Sequence, residues 1–368
     1  VVTLWLAAAS PALAWPWMIE HHYTGCNECH VDPSGGGMLT SYGRAQGEVL
    51  VRMDYGKDAS AGGADRFAWG VDLPTGLLVQ PELRVGLIPA SPARGLLMQA
   101  DARVGLDTPW VVGAASLGVV SGGADAARLV RADGPVRVVS REWWMGFRFN
   151  EEVMVRVGRM NLPFGLRTDE HLRYVRQATG TDTNEDQQVG LSAALRSRRW
   201  RSEWMVVLGN PVVSPDAWRE RGYAGFVAWG KAGVEVGASS KLTWAEAALD
   251  GPGPVTRHAH GLFVRASPVA GLGMFAEADV LLAHHADGVT PGAVVDVALD
   301  GEPVRGLHLG AGGELCVAGG ATGRGRVNTT WYLAPHTDLR LDAMYGPLRC
   351  EPDATAIPAV LLQLHVYL

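Results

Sequence analysis

The sequence predicts an all-β protein, a transmembrane antiparallel β-barrel of about 14–16 strands. Three observations carry this expectation. From about residue 66 onward apolar and polar residues alternate, as a sheet with two different faces requires. Charged residues make up 19% of the 368, while Gly (47) and Trp (13) are abundant; soluble domains carry roughly 25% charge. No stretch beyond the N-terminus approaches the ~20 continuous apolar residues of a spanning helix, so a membrane crossing falls to strands.

The chain opens Val-Val-Thr-Leu-Trp-Leu-Ala-Ala-Ala-Ser-Pro-Ala-Leu-Ala. This reads as the apolar part of a signal peptide, residues 1–14, with Ala12-Leu13-Ala14 as the cleavage site. A buried core helix fits less well, because the run is short and stops at small residues followed by Trp15-Pro16-Trp17.

Residues 15–60 form a second unit, and Cys26-Asn27-Glu28-Cys29-His30 is its signature. Cys-x-x-Cys-His is the attachment pattern of a c-type haem. Two thiols can add to the two vinyl groups of one haem c, and the next residue, His30, is placed as an axial iron ligand. A zinc site would need a second ligand pair at matching spacing, and a thioredoxin-like pair would need a βαβ setting; neither follows. His22, His21 and Met38 are the candidates for the sixth ligand. The Gly-rich stretch Asp32 to Arg44 reads as a wrap around the ring, with Arg44 able to pair with a propionate. A plain linker at Gly35 to Gly37 is the alternative. A phosphate loop is not, since the Gly-Lys-Ser/Thr ending is missing.

Residues 61–368 carry the strands. Met98, Ala100, Ala102, Val104 and Leu106 alternate with Gln99, Asp101 and Arg103. Trp143, Met145, Phe147 and Phe149 form one face of another run, and Val153, Val155 and Val157 of the next, with Asn150-Glu151 between them as a hairpin turn. Similar runs cover Met274–Leu282, Leu339–Ala343 and Leu362–Leu368. Period two alone does not separate a lipid-facing barrel from a soluble sandwich. The number of runs, their continuation to Leu368 and aromatics near run ends (Trp110, Trp143, Trp200, Trp331) favour the barrel. The interruptions at 161–186, 210–219 and 244–257 read as extracellular loops. The charged stretch Arg167 to Asp186 could fold inward or bind a donor, but a solvated loop is the plainer expectation for such a run.

Arg148, Glu152, Arg156, Glu277, Asp279, Arg340 and Asp342 fall on the polar face. They can anchor a plug or set selectivity, although mixed charge is also what any polar lumen carries. His258, His260, His284 and His285 read as loop or lumen residues. Cys316 and Cys350 are left after the haem pair. Export permits a disulfide, but spacing alone does not bring them together, and two separate buried thiols are the plainer expectation. A net charge of −6 argues against nucleic acid as partner.

Thr24 to His30, followed by a strand-rich remainder, resembles the fused outer-membrane cytochrome–porin family, whose best-known members oxidise iron. The likeness in sequence covers about residues 15–50 and is one of architecture beyond. Gly158-Arg159-Met160-Asn161-Leu162-Pro163-Phe164-Gly165 is similar to a run found in bacterial porins. The resemblance implies electron transfer in the outer membrane of a Gram-negative bacterium. It implies a haem segment on the periplasmic side or inside the lumen, a periplasmic c-type cytochrome as redox partner, and an extracellular electron donor or acceptor. Enzymatic activity, such as extracellular metal oxidation, is left open. The rival expectations are a passive porin with an N-terminal plug and a soluble periplasmic haem-binding β-protein.

Overall fold

The computed structural model describes residues 16–21, 23, 25–47, 74–89, 92–121, 136–168, 173–183, 186–211, 217–231, 233–248, 253–351 and 354–367. The signal-peptide reading of 1–14 and the segment boundary expected near residue 60 lie outside the described residues.

The strands are β1 (Leu77–Ile88), β2 (Arg94–Asp107), β3 (Val111–Ser121), β4 (Val136–Val139), β5 (Trp143–Arg148), β6 (Val153–Met160), β7 (Gln188–Arg196), β8 (Trp200–Gly209) and β9 (Arg221–Lys231). They continue as β10 (Val234–Ala245), β11 (Val255–Val269), β12 (Leu272–His285), β13 (Gly288–Val304), β14 (Leu307–Ala318), β15 (Ala321–Ala334), β16 (Thr337–Gly346) and β17 (Ile357–Tyr367). Except that β4 and β5 both pair with β3 rather than with each other, each pairs antiparallel with its sequence neighbours, and β17 returns to β1 with Leu83 opposite Val366. The sheet is therefore closed and has no edge. Short β4 and β5 lie end to end beside β3, Val119 facing Val138 and Val112 facing Gly146. Together they fill one position, so the wall is a sixteen-position barrel, within the expected range.

Alternation decides which face meets lipid. Leu83, Val104, Met145, Val157, Val206 and Leu262 are exposed on the outside, Leu262 by 69%. Their polar neighbours Glu82, Arg103, Arg156, Glu203, Glu277 and Asp279 are buried inside. This is the reverse of a soluble sandwich. A charge on the lipid face costs about 2–4 kcal/mol at mid-membrane, so a one-residue slip of any of these strands is disfavoured. Outside, Trp110 and Phe147 stack at 6.4 Å and Phe147 meets Phe149 edge-on at 5.1 Å, beside the β5–β6 turn. The wall closes on a polar contact: His365 lies 3.0 Å from both Glu82 and Asp338.

The connections 108–110, 149–152, 197–199, 270–271, 305–306 and 335–336 are tight and share one end of the barrel with the C-terminal residues of β17. In the hairpin turn expected at Asn150-Glu151, Asn150 Oδ1 accepts from the N–H groups of Glu152 and Val153, both at 2.8 Å. The longer connections 161–187, 210–220, 246–254 and 347–356 are at the opposite end, with tight turns at 286–287 and 319–320. Trp244 and Ala245 close β10, and Val255 to Arg257 begin β11, so the expected loop 244–257 is shorter at both ends.

Two segments fill the interior. Residues 16–47 occupy the half nearer the tight turns, and residues 161–187 the half nearer the long loops. The second corrects an expectation: this stretch is not a solvated loop. It carries the helix α2 (Tyr174–Thr179), in which Tyr174, Val175 and Arg176 are fully buried. Arg176 pairs with Glu277, Arg173 with Asp296 at 2.7 Å, and Lys241 donates to Thr179 O at 2.6 Å. Tyr174 donates to Pro347 O at 2.6 Å, and Arg324 lies 4.2 Å above its ring. Charge was placed there to meet charge on the wall, which a linear reading of charge density does not show.

The cysteine expectation is corrected as well. Cys316 on β14 and Cys350 in the 347–356 loop form a disulfide, their Cα atoms 5.8 Å apart. It borders the small apolar cluster of Tyr174, Val175 and Val294.

Candidate functional site

The Cys-x-x-Cys-His motif lies inside the barrel, in the half nearer the tight turns. Its local fold follows from its own backbone. Cys26–Glu28 is a single 3₁₀ turn, and the N–H groups of Cys29 and His30 both return to Cys26 O, at 3.3 and 3.1 Å. The chain then runs as a narrow hairpin: His30 bridges Leu39, and Val31 N–H donates to Met38 O at 3.0 Å. Thr40 caps the helix α1 (Ser41–Gln46) through its Oγ1, which accepts from Gly43 N at 3.0 Å. Two glycines make this packing possible. Gly43 lies against the Cys29 carbonyl, and Gly35, at φ 91°, against the Cys26 side chain. A Cβ at either would collide, and Gly35 is in the left-handed region that glycine tolerates.

The segment is held on three sides. Met18, Ile19 and Cys29 pack with Phe226, Phe263, Phe275 and Tyr332 of the wall. Val31 and Met38 pack with Leu78, Val112, Trp144 and Met205 on the other side. Between these lies a buried ion network: Arg156 is 3.2 Å from Asp32 and pairs with Glu203, which also accepts from Ser34 Oγ. Arg156 also lies 4.7 Å over the Trp144 ring. For Arg156 the bland reading of mixed lumen charge is therefore set aside, because its partner is the N-terminal segment itself. Of the other polar-face candidates, Arg340 pairs with Asp342 at 2.8 Å, and Arg148 with Asp107 at 2.7 Å. Glu152 is exposed in the β5–β6 turn.

The structure brings Cys26, Cys29 and His30 together in one turn, Cys29 buried and the other two half-buried. His30 borders a cavity of about 410 Å³ shared with Val31, Pro33, Met154, Arg201 and Phe226. That is within the 300–1,000 Å³ of a cofactor-sized pocket. Cys26 borders a neighbouring, much smaller cavity, and Arg201 and Phe226 wall both. Two thiols, an adjacent imidazole and a pocket beside them are a donor set that fits a covalently held tetrapyrrole.

The remaining candidates are spread out. Met38 is on the opposite side of its hairpin from His30, its sulfur against Gly105 of the wall. His21 falls in a 3₁₀ turn, Pro16–His21, and His22 lies outside the described residues. Arg44 is buried and donates to Val79 O on β1, and burial pulls its basicity down. His258 and His260 share the outward face of β11 with Leu262, and His258 meets His284 at 5.3 Å there. Beside the motif, burial raises the Glu20 carboxyl to about 9, with Asp300 and Glu302 adding to it, so it is protonated at neutral pH.

Asp32, Ser34 and Glu203 were not picked out from sequence. The signal for Glu203 was available: it is the only carboxylate on β8, at an inward position.

No protein-family model and no curated protein matches the chain. Among solved structures, OmpT of Vibrio cholerae, in its outer-membrane-expressed form, is similar at 11% identity over 79% of this chain and 97% of that one, with a TM-score of 0.60. An anion-selective porin from Comamonas acidovorans is 9% identical over 79% and 98%, TM-score 0.57. The outer membrane channel DcaP of Acinetobacter baumannii is 10% identical over 82% and 98%, TM-score 0.56. The chain has the porin-like fold of outer-membrane β-barrels.

Proposed function

We infer that the chain is an outer-membrane electron-transfer protein. Cys26 and Cys29 would hold one haem c by thioether bonds, and His30 would ligate its iron. The observation that carries this reading is the placement of Cys-x-x-Cys-His inside a lipid-facing barrel, beside a cofactor-sized cavity. When bound, the group supplies a reversible one-electron couple. The chain does the rest. Cys26 and Cys29 fix the ring, the Arg156–Asp32–Glu203 network fixes the segment, and the apolar contacts of Met18, Ile19 and Phe226 keep water from that side.

Outer-membrane barrels turn their short connections to the periplasm. The mouth nearer the motif is then periplasmic. Arg196, Arg198 and Arg199 are exposed at this mouth, Arg196 reaching Glu28 at 3.3 Å. This arginine cluster, with Glu151 and Glu152 beside it, supports docking of a periplasmic c-type cytochrome, while the long-loop end meets the extracellular donor or acceptor. A passive porin with an N-terminal plug is the second reading, favoured by the fold alone.

The test is a haem stain and a reduced-minus-oxidised spectrum on the purified, exported chain. A covalently stained band whose absorbance cycles is expected. Cys26→Ala with Cys29→Ala should abolish the stain and leave heat-modifiable gel migration intact. An unstained wild-type chain that conducts ions would decide for the plugged porin.

A further inference from the structure

Among the described residues, the arginines Arg44, Arg159 and Arg167 have no ion pair, and Arg167 borders a cavity. Asp32 and Glu203 pair directly with Arg156 and act on Arg167 only from beyond ion-pair distance, Glu235 is shared by Arg201 and Arg265, and Glu277 holds Arg176. Arg167, on the inward-folded 161–187 connection, has no ion pair among the described residues. Both terminal nitrogens of its guanidinium are buried with no hydrogen-bond partner. A guanidinium keeps its proton, and a buried charge without a counter-ion is costly.

Arg167 faces a defined space. A cavity of about 30 Å³ is lined by Cys26, Ser34, Gly35, Gly36, Arg167, Arg201 and Arg265, with Phe164, Gly165, Leu166 and Phe226 closing it. One water needs roughly 10–15 Å³ on this measure, so the space admits one small ion and not a ring system. Gly36 contributes open space where any other residue would place a Cβ. Three arginines line it and no carboxylate does.

We propose that this cavity is a binding site for a small oxyanion of the phosphate class, with Arg167 as its principal ligand and Arg201 and Arg265 as flanking charges. The bound anion supplies the counter-charge that Arg167 lacks, and charge-assisted hydrogen bonds from a planar fork suit an oxyanion. The site does not depend on the haem reading. The anion would tie the 161–187 connection to the Ser34–Gly36 turn, joining the two segments that fill the lumen.

The experiment is calorimetric titration of the full-length, detergent-purified chain with inorganic phosphate in a buffer free of other oxyanions. It is run on wild type, on the haem-free Cys26→Ala/Cys29→Ala chain, on Arg167→Gln and on Arg167→Lys. Saturable binding of one phosphate by wild type and by the haem-free chain is expected. Arg167→Gln should weaken it by about tenfold or more, and Arg167→Lys should restore part of the loss. Heat-modifiable migration checks that each variant is folded. No saturable binding, or equal binding by folded Arg167→Gln, overturns the site. Binding by the haem-free chain alone would give the cavity to a carboxylate of the tetrapyrrole and overturn a free anion.

Discussion

Arg156 is where wall and N-terminal segment are joined most firmly. Removing one partner of a buried pair leaves the other uncompensated, at a cost of about 3–5 kcal/mol. Arg156→Met leaves both Asp32 and Glu203 in that state. The expected outcome is a barrel that still assembles but whose residues 16–47 become open to protease, read by limited proteolysis of folded protein. Asp32→Asn combined with Arg156→Met should be milder than Arg156→Met alone, because one orphaned charge is removed. Equal protection of wild type and Arg156→Met would deny the anchor. The inward position of Arg156 was legible from alternation along Val153 to Val157. Its partners were not, since Asp32 and Glu203 lie far away in sequence and only barrel closure brings them near.

Among the elements, α2 has the strongest dependence on others. It is a six-residue helix, too short to be stable by itself. Its hold comes from Asp296, Glu277, Lys241 and the 347–356 loop. The Cys316–Cys350 bond pins that loop. Closing 34 residues stabilises by roughly 3–4 kcal/mol in the chain-entropy account. Cys316→Ser with Cys350→Ser should therefore speed amide exchange of residues 174–179 while strands β6 and β7 stay protected. Unchanged exchange at α2 would show that the disulfide acts elsewhere. Period two located the strands around this element, down to the Asn150 turn. It had nothing to report about the 161–187 connection, whose inward path is set by Arg173, Arg176 and their distant carboxylates rather than by any local repeat.

For the whole molecule, the central question from sequence was barrel or sandwich. Val104, Val157, Val206 and Val280 answer it by facing out, while the charges between them face in. Alternation alone could not do so, because both architectures alternate; the number of runs and the aromatics near their ends are what favoured the barrel. A barrel this wide leaves a lumen that its own wall does not fill, and residues 16–47 occupy half of it. Deleting 16–47 should leave an assembled barrel with a larger single-channel conductance in planar bilayers than the intact chain. An unchanged conductance would mean that α2 alone closes the passage.

The seam between β1 and β17 adds a constraint of order. Glu82 and His365 meet across the entire barrel sequence, so the wall is sealed by the strand that comes last. The filler precedes every described strand, yet its contacts reach β6, β8, β9, β11, β12 and β15. Its resting place exists only when distant parts of the wall have gathered. Folding of the N-terminal segment is thus bound in time to zipping of the final strand, and a change that delays the seam should leave the motif exposed while the rest of the sheet forms.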